Sequence, residues 1–374
     1  MVLFLHNRYR SSGGEERVVE DLLRLVRQRL AEPAELLTRD SGELGGARAA
    51  LGLLRGGLAP ELVADAVRAG GARVVHAHNL QPMLGWRALA AARQAGARVV
   101  LHLHQYRLVC AVGVCFTGGQ ECTRCHGPNT LPGVRLNCRG SRPEALAYGA
   151  GLALWQRRLA AQADVVIVPS RFARERLRAL GAPLPWDRVH VLAPPIPVGD
   201  TPAGAPAEGG YALVVSRLSP EKGVDVAIDA CRIAGLGLVI AGEGPERAAL
   251  EARAEGSEVR FAGPVADAEL ARLRAGAAVA VVPSRSAETF GLAAAEAMAA
   301  GLPVVASRAG ALPELLEDDA LVEPGDARAL AAALGRLAGD RDAGRRGRER
   351  VAGLCSPDVV ARRLSALYDG RDPA

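Results

Sequence analysis

Short valine-rich runs alternate with amphipathic segments along this 374-residue chain, stop at a stretch rich in Pro, Ala and Gly, and then begin again. A first strand over residues 2–5 leads into a loop carrying Gly13-Gly14. The helix after it keeps its apolar positions Val18, Leu22, Leu25 and Val26 at helical spacing. Further strands are predicted near residues 74–77, 99–103, 165–169 and 189–192. Apolar runs this short, separated by amphipathic helices, suit strands buried on both faces of a parallel sheet. Residues 193–210 show no periodicity and read as a linker. Beyond it, strands near 212–215, 238–241, 259–261, 279–282 and 304–306 restore the rhythm.

The expected architecture is α/β: two Rossmann-like domains, residues 1–196 and 197–356, whose parallel sheets face across an interdomain cleft with ligands at the carboxyl ends of the strands. A last helix in 357–374, with Val359, Val360, Leu364 and Leu367 on its apolar positions, is expected to pack back on the first domain. The length suffices for two cores. The residues are 49% hydrophobic but only 3% aromatic, so those cores are aliphatic, as layered sheets and helices prefer. No apolar run reaches the roughly 18–20 residues of a membrane span, and the opening Met1-Val-Leu-Phe-Leu is too short for a signal peptide. A cytoplasmic location is the expectation.

The net charge of +5 hides an asymmetry. Residues 1–196 carry 26 Arg against 15 acidic residues, a net of +11, whereas 197–374 carry 19 Arg and one Lys against 26, a net of −6. Three readings are open: solvated arginines, attraction between the halves, or an anionic partner or inner membrane face met by the basic half. Nucleic acid is not an expected partner.

Lys222 is the only lysine, and it sits in Ser216-Arg-Leu-Ser-Pro-Glu-Lys-Gly223. There Arg217 offers a planar fork and Lys222 a point charge to one diphosphate. Phe290-Gly291-Leu292 open a helix, where free N–H groups attract an anion and glycine clears the approach. Glu296 is the only polar side chain from Leu292 to Gly301, a burial that is costly unless partners such as ribose hydroxyls are supplied. The plain alternative is a surface turn and an ordinary helix start. In the run from Val99 to Arg107, His102 and His104 share a face by period-two alternation, and His104 lies nearer the strand's carboxyl end. A packed structural histidine is the alternative there, and it is the preferred reading for His76 and His78.

Five of seven cysteines fall between Cys110 and Cys138, in an insert of about residues 105–142. Cys122 and Cys125 form a C-x-x-C, with Cys110 twelve positions before and Cys138 thirteen after, and Cys115 outside the pattern. A structural zinc held by Cys110, Cys122, Cys125 and Cys138 would staple this loop. Free or oxidisable thiols are the equal alternative, and a redox C-x-x-C would be expected to open a helix.

Taken in order, these elements resemble the GT-B glycosyltransferases of retaining family 4, the glycosyl transferases group 1, including a subgroup with a four-cysteine insert in the N-terminal domain. Glu288 and Glu296 match its paired glutamates with seven residues between, and Ser216 to Gly223 match its Arg/Lys turn. Gly242-Glu-Gly244-Pro-Glu246 and Pro283-Ser-Arg285 match further positions. The likeness covers nearly the whole chain and is strongest over 211–310. It implies a catalytic set of His104, Glu288, Arg217 and Lys222, the two cations holding the donor diphosphate and Glu288 touching the donor sugar. It also implies that Glu296 binds ribose, that Phe290, Gly291 and Leu292 offer amides, that Val265 meets the base through its backbone, and that Gly242, Gly13 and Gly14 belong to the donor site. His104 matches a histidine usually followed by aspartate, a place held here by Gln105.

The implied reaction is retaining transfer of a hexosyl unit from a UDP- or GDP-sugar to a hydroxyl acceptor, without a catalytic metal, in polysaccharide, glycolipid or glycoconjugate biosynthesis. The acceptor is expected to be anionic or lipid-diphosphate-linked, with a soluble small molecule nearly as good a fit. The rivals are a non-catalytic nucleotide-sugar-binding relative and an NAD-dependent dehydrogenase, for which Gly242 to Arg247 lacks the third glycine. A pyridoxal-dependent phosphorylase would have to use Lys222 for its Schiff base.

Overall fold

The computed structural model describes residues 1–9, 13–42, 45–199 and 210–373, so the middle of the expected linker lies outside the described residues. The chain forms two compact units. One comprises Met1–Thr117, Cys122–Pro195 and Pro357–Ala374, the other Gly118–Glu121 and Ile196–Ser356.

The first unit is built on strands β1 (Val2–Arg8), β2 (Ala34–Asp40), β3 (Val74–Ala77) and β4 (Arg98–His102). The short pair β5 (Phe116–Thr117) and β6 (Gln120–Glu121) interrupts them before β7 (Val165–Val168) and β8 (Val189–Val191). Six of these make one parallel sheet in the order β2-β1-β3-β4-β7-β8. Strands β3 and β7 are buried along their whole length, which is why they read as unbroken apolar runs. Strand β2 has only Ala34 buried, and its charged edge sequence carries no such run.

Helix Gly14–Arg29 covers the sheet with Val18, Val19, Leu22, Leu25 and Val26. Each fully buried aliphatic side chain there contributes about 1.5–3 kcal/mol relative to exposure. Helix Pro357–Tyr368 buries Val360, Leu364, Leu367 and Tyr368 and packs against it.

The second unit repeats the plan with β9 (Tyr211–Val215), β10 (Leu238–Ala241), β11 (Val259–Gly263), β12 (Ala277–Val282), β13 (Val304–Ser307) and β14 (Leu321–Val322). All are parallel, in the order β11-β10-β9-β12-β13-β14. The direction of winding reverses between β1 and β3 in the first sheet and between β9 and β12 in the second. At such a switch point neighbouring connections leave to opposite faces and open a crevice at the carboxyl ends. The chemistry-bearing residues sit at these two places. No described helix is long and apolar enough to cross a membrane.

Candidate active site

In the second unit the loops after β9 and β12 are interlocked by glycine. Gly223 has φ +63°, and a Cβ on it would stand 2.1 Å from the Pro283 carbonyl oxygen, so only glycine lets the turn Pro220–Lys222 close on the β12 loop. The Arg285 and Ser286 amides donate to the Glu221 carbonyl at 2.8 and 3.2 Å, which fixes the two loops together. Behind them Gly310 packs against Glu288, where a Cβ would meet its backbone N and O at 2.2 Å.

These contacts bring Lys222 and Glu288 together. Lys222 Nζ donates to Glu288 Oε1 at 2.6 Å, and Ser284 Oγ donates to the same oxygen at 2.6 Å. Burial pushes the Glu288 carboxyl up, but the Lys222 charge and these two donors outweigh it and hold it below its ordinary value. Arg217 Nη2 donates to Glu221 Oε1 at 2.6 Å, and Ser219 Oγ to the same oxygen at 2.7 Å. The Arg217 side chain remains 54% exposed, leaving donors for a ligand. Arg285 forms a bidentate pair with Asp225 at 2.7 and 2.6 Å.

Helix Leu292–Ala299 starts beside this cluster, with Gly291 at φ +101° and no side-chain cap, so its first amides stay available. Phe290 is buried just ahead of it. The expectation that Glu296 is a lone carboxylate is corrected by Arg274, which donates to it from helix Asp267–Ala275; both side chains are largely buried. Sequence reasoning missed Arg274 because its partner is 22 residues away on another helix. Gly242 and Gly244 also have a local reason. A Cβ on either would fall 1.9 Å from Ser216 O or 2.2 Å from Leu218 O, so they let the β10 loop lie against the β9 loop. Val265 is half-buried between β11 and the helix bearing Arg274.

In the first unit, Leu5 pairs with Ala77 and Ala77 with Leu101. One further step of this register sets His6, His78 and His102 side by side. His76 and His78, both buried, belong to the same histidine group. His78 Nδ1 lies 2.8 Å from His104 Nε2, His76 Nε2 lies 3.2 Å from His102 Nδ1, and His76 Nδ1 lies 2.7 Å from the Tyr368 hydroxyl. Burial depresses all four, His76 to about 3, so they are neutral imidazoles near pH 7.

Against that burial, His104 feels the Glu15 and Glu16 carboxylates, which favour its proton. The acid near His104 thus comes from helix Gly14–Arg29, and Gln105 serves it: Gln105 Nε2 and Tyr9 Oη donate to Glu15 Oε2 at 3.0 and 2.7 Å. Glu16 accepts from the Tyr9 and Gly13 amides at 3.1 and 2.9 Å. Gly13 is extended at φ −148°, and a Cβ there would meet only Glu16 Oε2, at 3.6 Å. Its local fold leaves room for a side chain, and Gly14 is the first helical residue.

All seven cysteines are free thiols. Cys110, Cys122, Cys125 and Cys138 line one small pocket, and Cys115, outside the sequence pattern, lines it as well. A hydrogen bond from Cys115 holds the Cys110 thiol down to about 6 against the effect of burial. Five soft sulfur ligands around one pocket suit a thiophilic ion. Among the described residues, His76, His78 and His102 form another group, with ligand atoms within 4.8 Å of one another.

Known proteins match both halves of the chain. Residues 2–195 match the glycosyl transferase 4-like domain and residues 209–340 match glycosyl transferases group 1. A GDP-mannose-dependent alpha-(1-6)-phosphatidylinositol dimannoside mannosyltransferase of Mycobacterium tuberculosis is 39% identical over 181 residues, 43% of this chain and 45% of that protein. A D-inositol 3-phosphate glycosyltransferase of Acidothermus cellulolyticus is 34% identical over 219 residues, 48% of each chain. The chain spans about half the length of the curated relatives it matches. Among solved structures, sucrose-phosphate synthase from Thermosynechococcus elongatus superposes with a TM-score of 0.68 at 22% identity, over 99% of this chain and 98% of that one. Anabaena HepE in complex with UDP and glucose gives 0.64 at 19% identity, over 99% of each. At these identities the likeness is one of fold, and the fold is GT-B.

Proposed function

The chain belongs to the group 1 glycosyl transferases, and from that membership we propose that it transfers a hexosyl unit from a nucleoside-diphosphate sugar to a hydroxyl acceptor in glycolipid, polysaccharide or glycoconjugate assembly. The observation that carries this reading is the cation cluster at the β9/β12 switch point. Lys222 hydrogen-bonds Glu288 at 2.6 Å, and Arg217 lies in the same turn with donors to spare.

Breaking the bond between anomeric carbon and phosphate leaves negative charge on the departing diphosphate. Arg217, Lys222 and the amides of Phe290, Gly291 and Leu292 are assigned to stabilise that charge as it develops, which needs no metal. Glu288 is assigned to the donor sugar, Glu296 to the ribose, Val265 to the base, and Gly242, Gly13 and Gly14 to backbone contact with the donor. His104, neutral near pH 7, is assigned to the sugar as a hydrogen-bonding group. We assign retention of configuration, with front-side attack in which the departing phosphate takes the acceptor's proton.

The relatives named above include a GDP-mannose-dependent protein, and HepE has also been seen with UDP-glucose. Both bases therefore stay in the donor panel. The net charge of +11 over residues 1–196 supports a cytoplasmic enzyme whose first unit meets an anionic, lipid-rich surface.

The test is release of nucleoside diphosphate from UDP-glucose and GDP-mannose. We expect Lys222→Ala all but to abolish it, and Glu288→Ala or His104→Ala to reduce it strongly. Equal rates in all three variants and wild type would sink the site assignment. For the cysteine pocket we propose a structural zinc on Cys110, Cys122, Cys125 and Cys138. Elemental analysis of protein purified without chelators should find about one equivalent, and less than about half defeats the staple.

A further inference from the structure

We propose that His78 is a positioning residue for His104: its Nδ1–H donates to His104 Nε2, which fixes the His104 proton on Nδ1 and makes that imidazole a hydrogen-bond donor to the sugar. The service to turnover rests on the transferase reading above; the bond between the two histidines does not. Their nitrogens are 2.8 Å apart. The ring planes lie within 19° of each other and the centroids 5.1 Å apart, as far as that contact permits. Both nitrogens therefore lie on the line joining the ring centres, and the rings meet edge to edge. The N–H of one then points straight along the lone pair of the other.

Two neutral imidazoles share such a bond in only two ways, because each has one N–H and one lone pair. Burial keeps His78 and His104 neutral near pH 7. Either His104 donates from Nε2 and the His78 proton sits on its own Nε2, or His78 donates from Nδ1 and its Nε2 is a bare lone pair. The far side of His78 decides between them. The residue is 3% exposed, and its Nε2 is buried with no hydrogen-bond partner among the described residues. In protein interiors an orphaned N–H is rarer than an unanswered acceptor. The proton therefore belongs on Nδ1, between the two rings.

The neighbours hold this arrangement. Phe4 on β1 stacks on His78 with centroids 5.7 Å apart and planes at 7°, and His76 on β3 stands 4.5 Å away at 26°, so the ring is gripped by both strands. His104 is where the nearby charges act: Glu15 and Glu16 favour its proton, against burial and the pull of His6. With Nε2 engaged, whatever His104 offers a ligand comes from Nδ1, and from there it only donates. A sugar oxygen that meets it must accept. Without His78 the imidazole would exchange between tautomers and spend part of its time presenting the wrong one.

The experiment uses the full chain carrying isotope-labelled histidine. Long-range proton–nitrogen spectra separate a protonated ring nitrogen from one bearing a lone pair, and the two residues are assigned by loss of their signals in His78→Asn and His104→Ala. We expect the proton on Nδ1 in both. Release of nucleoside diphosphate from UDP-glucose and GDP-mannose is measured beside it. His78→Phe should lower kcat about tenfold with KM changed less than about twofold. His78→Asn, whose amide puts an N–H in the place of Nδ1, should recover most of that loss and keep the His104 proton on Nδ1. A proton on His104 Nε2 in wild type overturns the proposal. So does a His78→Phe enzyme with the wild-type kcat, or a folded His78→Asn as slow as His78→Phe. If His78→Phe does not fold, the wild-type spectrum and the His104 tautomer in His78→Asn decide. A chain that binds neither UDP nor GDP and releases no nucleoside diphosphate strikes the transferase reading instead, and the spectrum still decides the bond between His78 and His104.

Discussion

The two sheets share a winding plan and end at comparable switch points, yet they hold polar groups in opposite ways. In the first unit burial has discharged them: His76, His78, His102 and His104 are packed ring against ring and kept neutral. In the second unit pairing has kept the charges: Lys222 with Glu288, Arg217 with Glu221, Arg274 with Glu296, Arg285 with Asp225. One scaffold thus supports both a neutral, polarisable surface and a dense set of ions. The difference lies in whether opposite charge and hydrogen bonds outweigh burial: Glu15 and Glu16 do not do so for His104, whereas Lys222 and Ser284 do for Glu288.

Acid should separate the two units, and this is the largest effect expected. A histidine whose folded pKa is depressed loses stability for the protein as pH falls below its ordinary 6.5, because only the unfolded chain takes up the proton. For His76 that loss continues down to about 3 and reaches about 2 kcal/mol by pH 5, and the other three histidines act in the same direction. Glu288 behaves otherwise. Its folded pKa is lowered, so its contribution is intact above the ordinary 4.5 and goes only as pH falls through the folded value. All three tryptophans, Trp86, Trp155 and Trp186, are in the first unit, so their fluorescence reports it alone, while hydrogen exchange follows the second. Between pH 6.5 and 4.5 the first unit should weaken and the second hold; loss of both in step would break the contrast.

Next in size, Lys222→Ala should lower turnover of the nucleotide sugar by about 10²–10³-fold, the usual effect of losing one preorganised electrostatic donor. A Lys222→Ala enzyme within about threefold of wild type would mean the paired charges are structural only. Glu296→Ala should destabilise the second unit by about 3 kcal/mol in urea unfolding, since Arg274 is left largely buried without its counter-ion. Adding Arg274→Ala should recover part of that loss, and no recovery would refute the coupling. Smallest, Arg285→Ala should shift stability by under about 1 kcal/mol, because its pair with Asp225 is partly exposed and screened.

Much of the fold was legible because buried parallel strands must be apolar on both faces; β3 and β10 fall at the residues their valine-rich runs indicate. Strand β2 was not, since an edge strand reading Ala-Glu-Leu-Leu-Thr-Arg-Asp buries one residue and imposes no pattern on the rest. Two-residue β14 is too short to show a period. At the site, local spacing exposed the Arg217/Lys222 turn and the Gly291 helix start. Pairings made across long stretches of chain left no mark: Arg274 with Glu296, and Glu15 as the acid near His104. Cys115 is near its neighbours in sequence but stands outside the C-x-x-C spacing that marks the other four. His76 and His78 looked like ordinary core because their company comes from β1 and β4, and only register between strands reveals it.

Tyr368 places its hydroxyl on His76, and the helix carrying it seals the sheet's covering layer against helix Gly14–Arg29. During synthesis, then, the amino-terminal unit leaves the ribosome with a gap in its interior. It stays open until some 160 residues of the other unit have been translated. The usual order, in which the earlier-made domain matures first, is inverted here: the later-made one can finish on its own while its predecessor waits for the last helix to arrive.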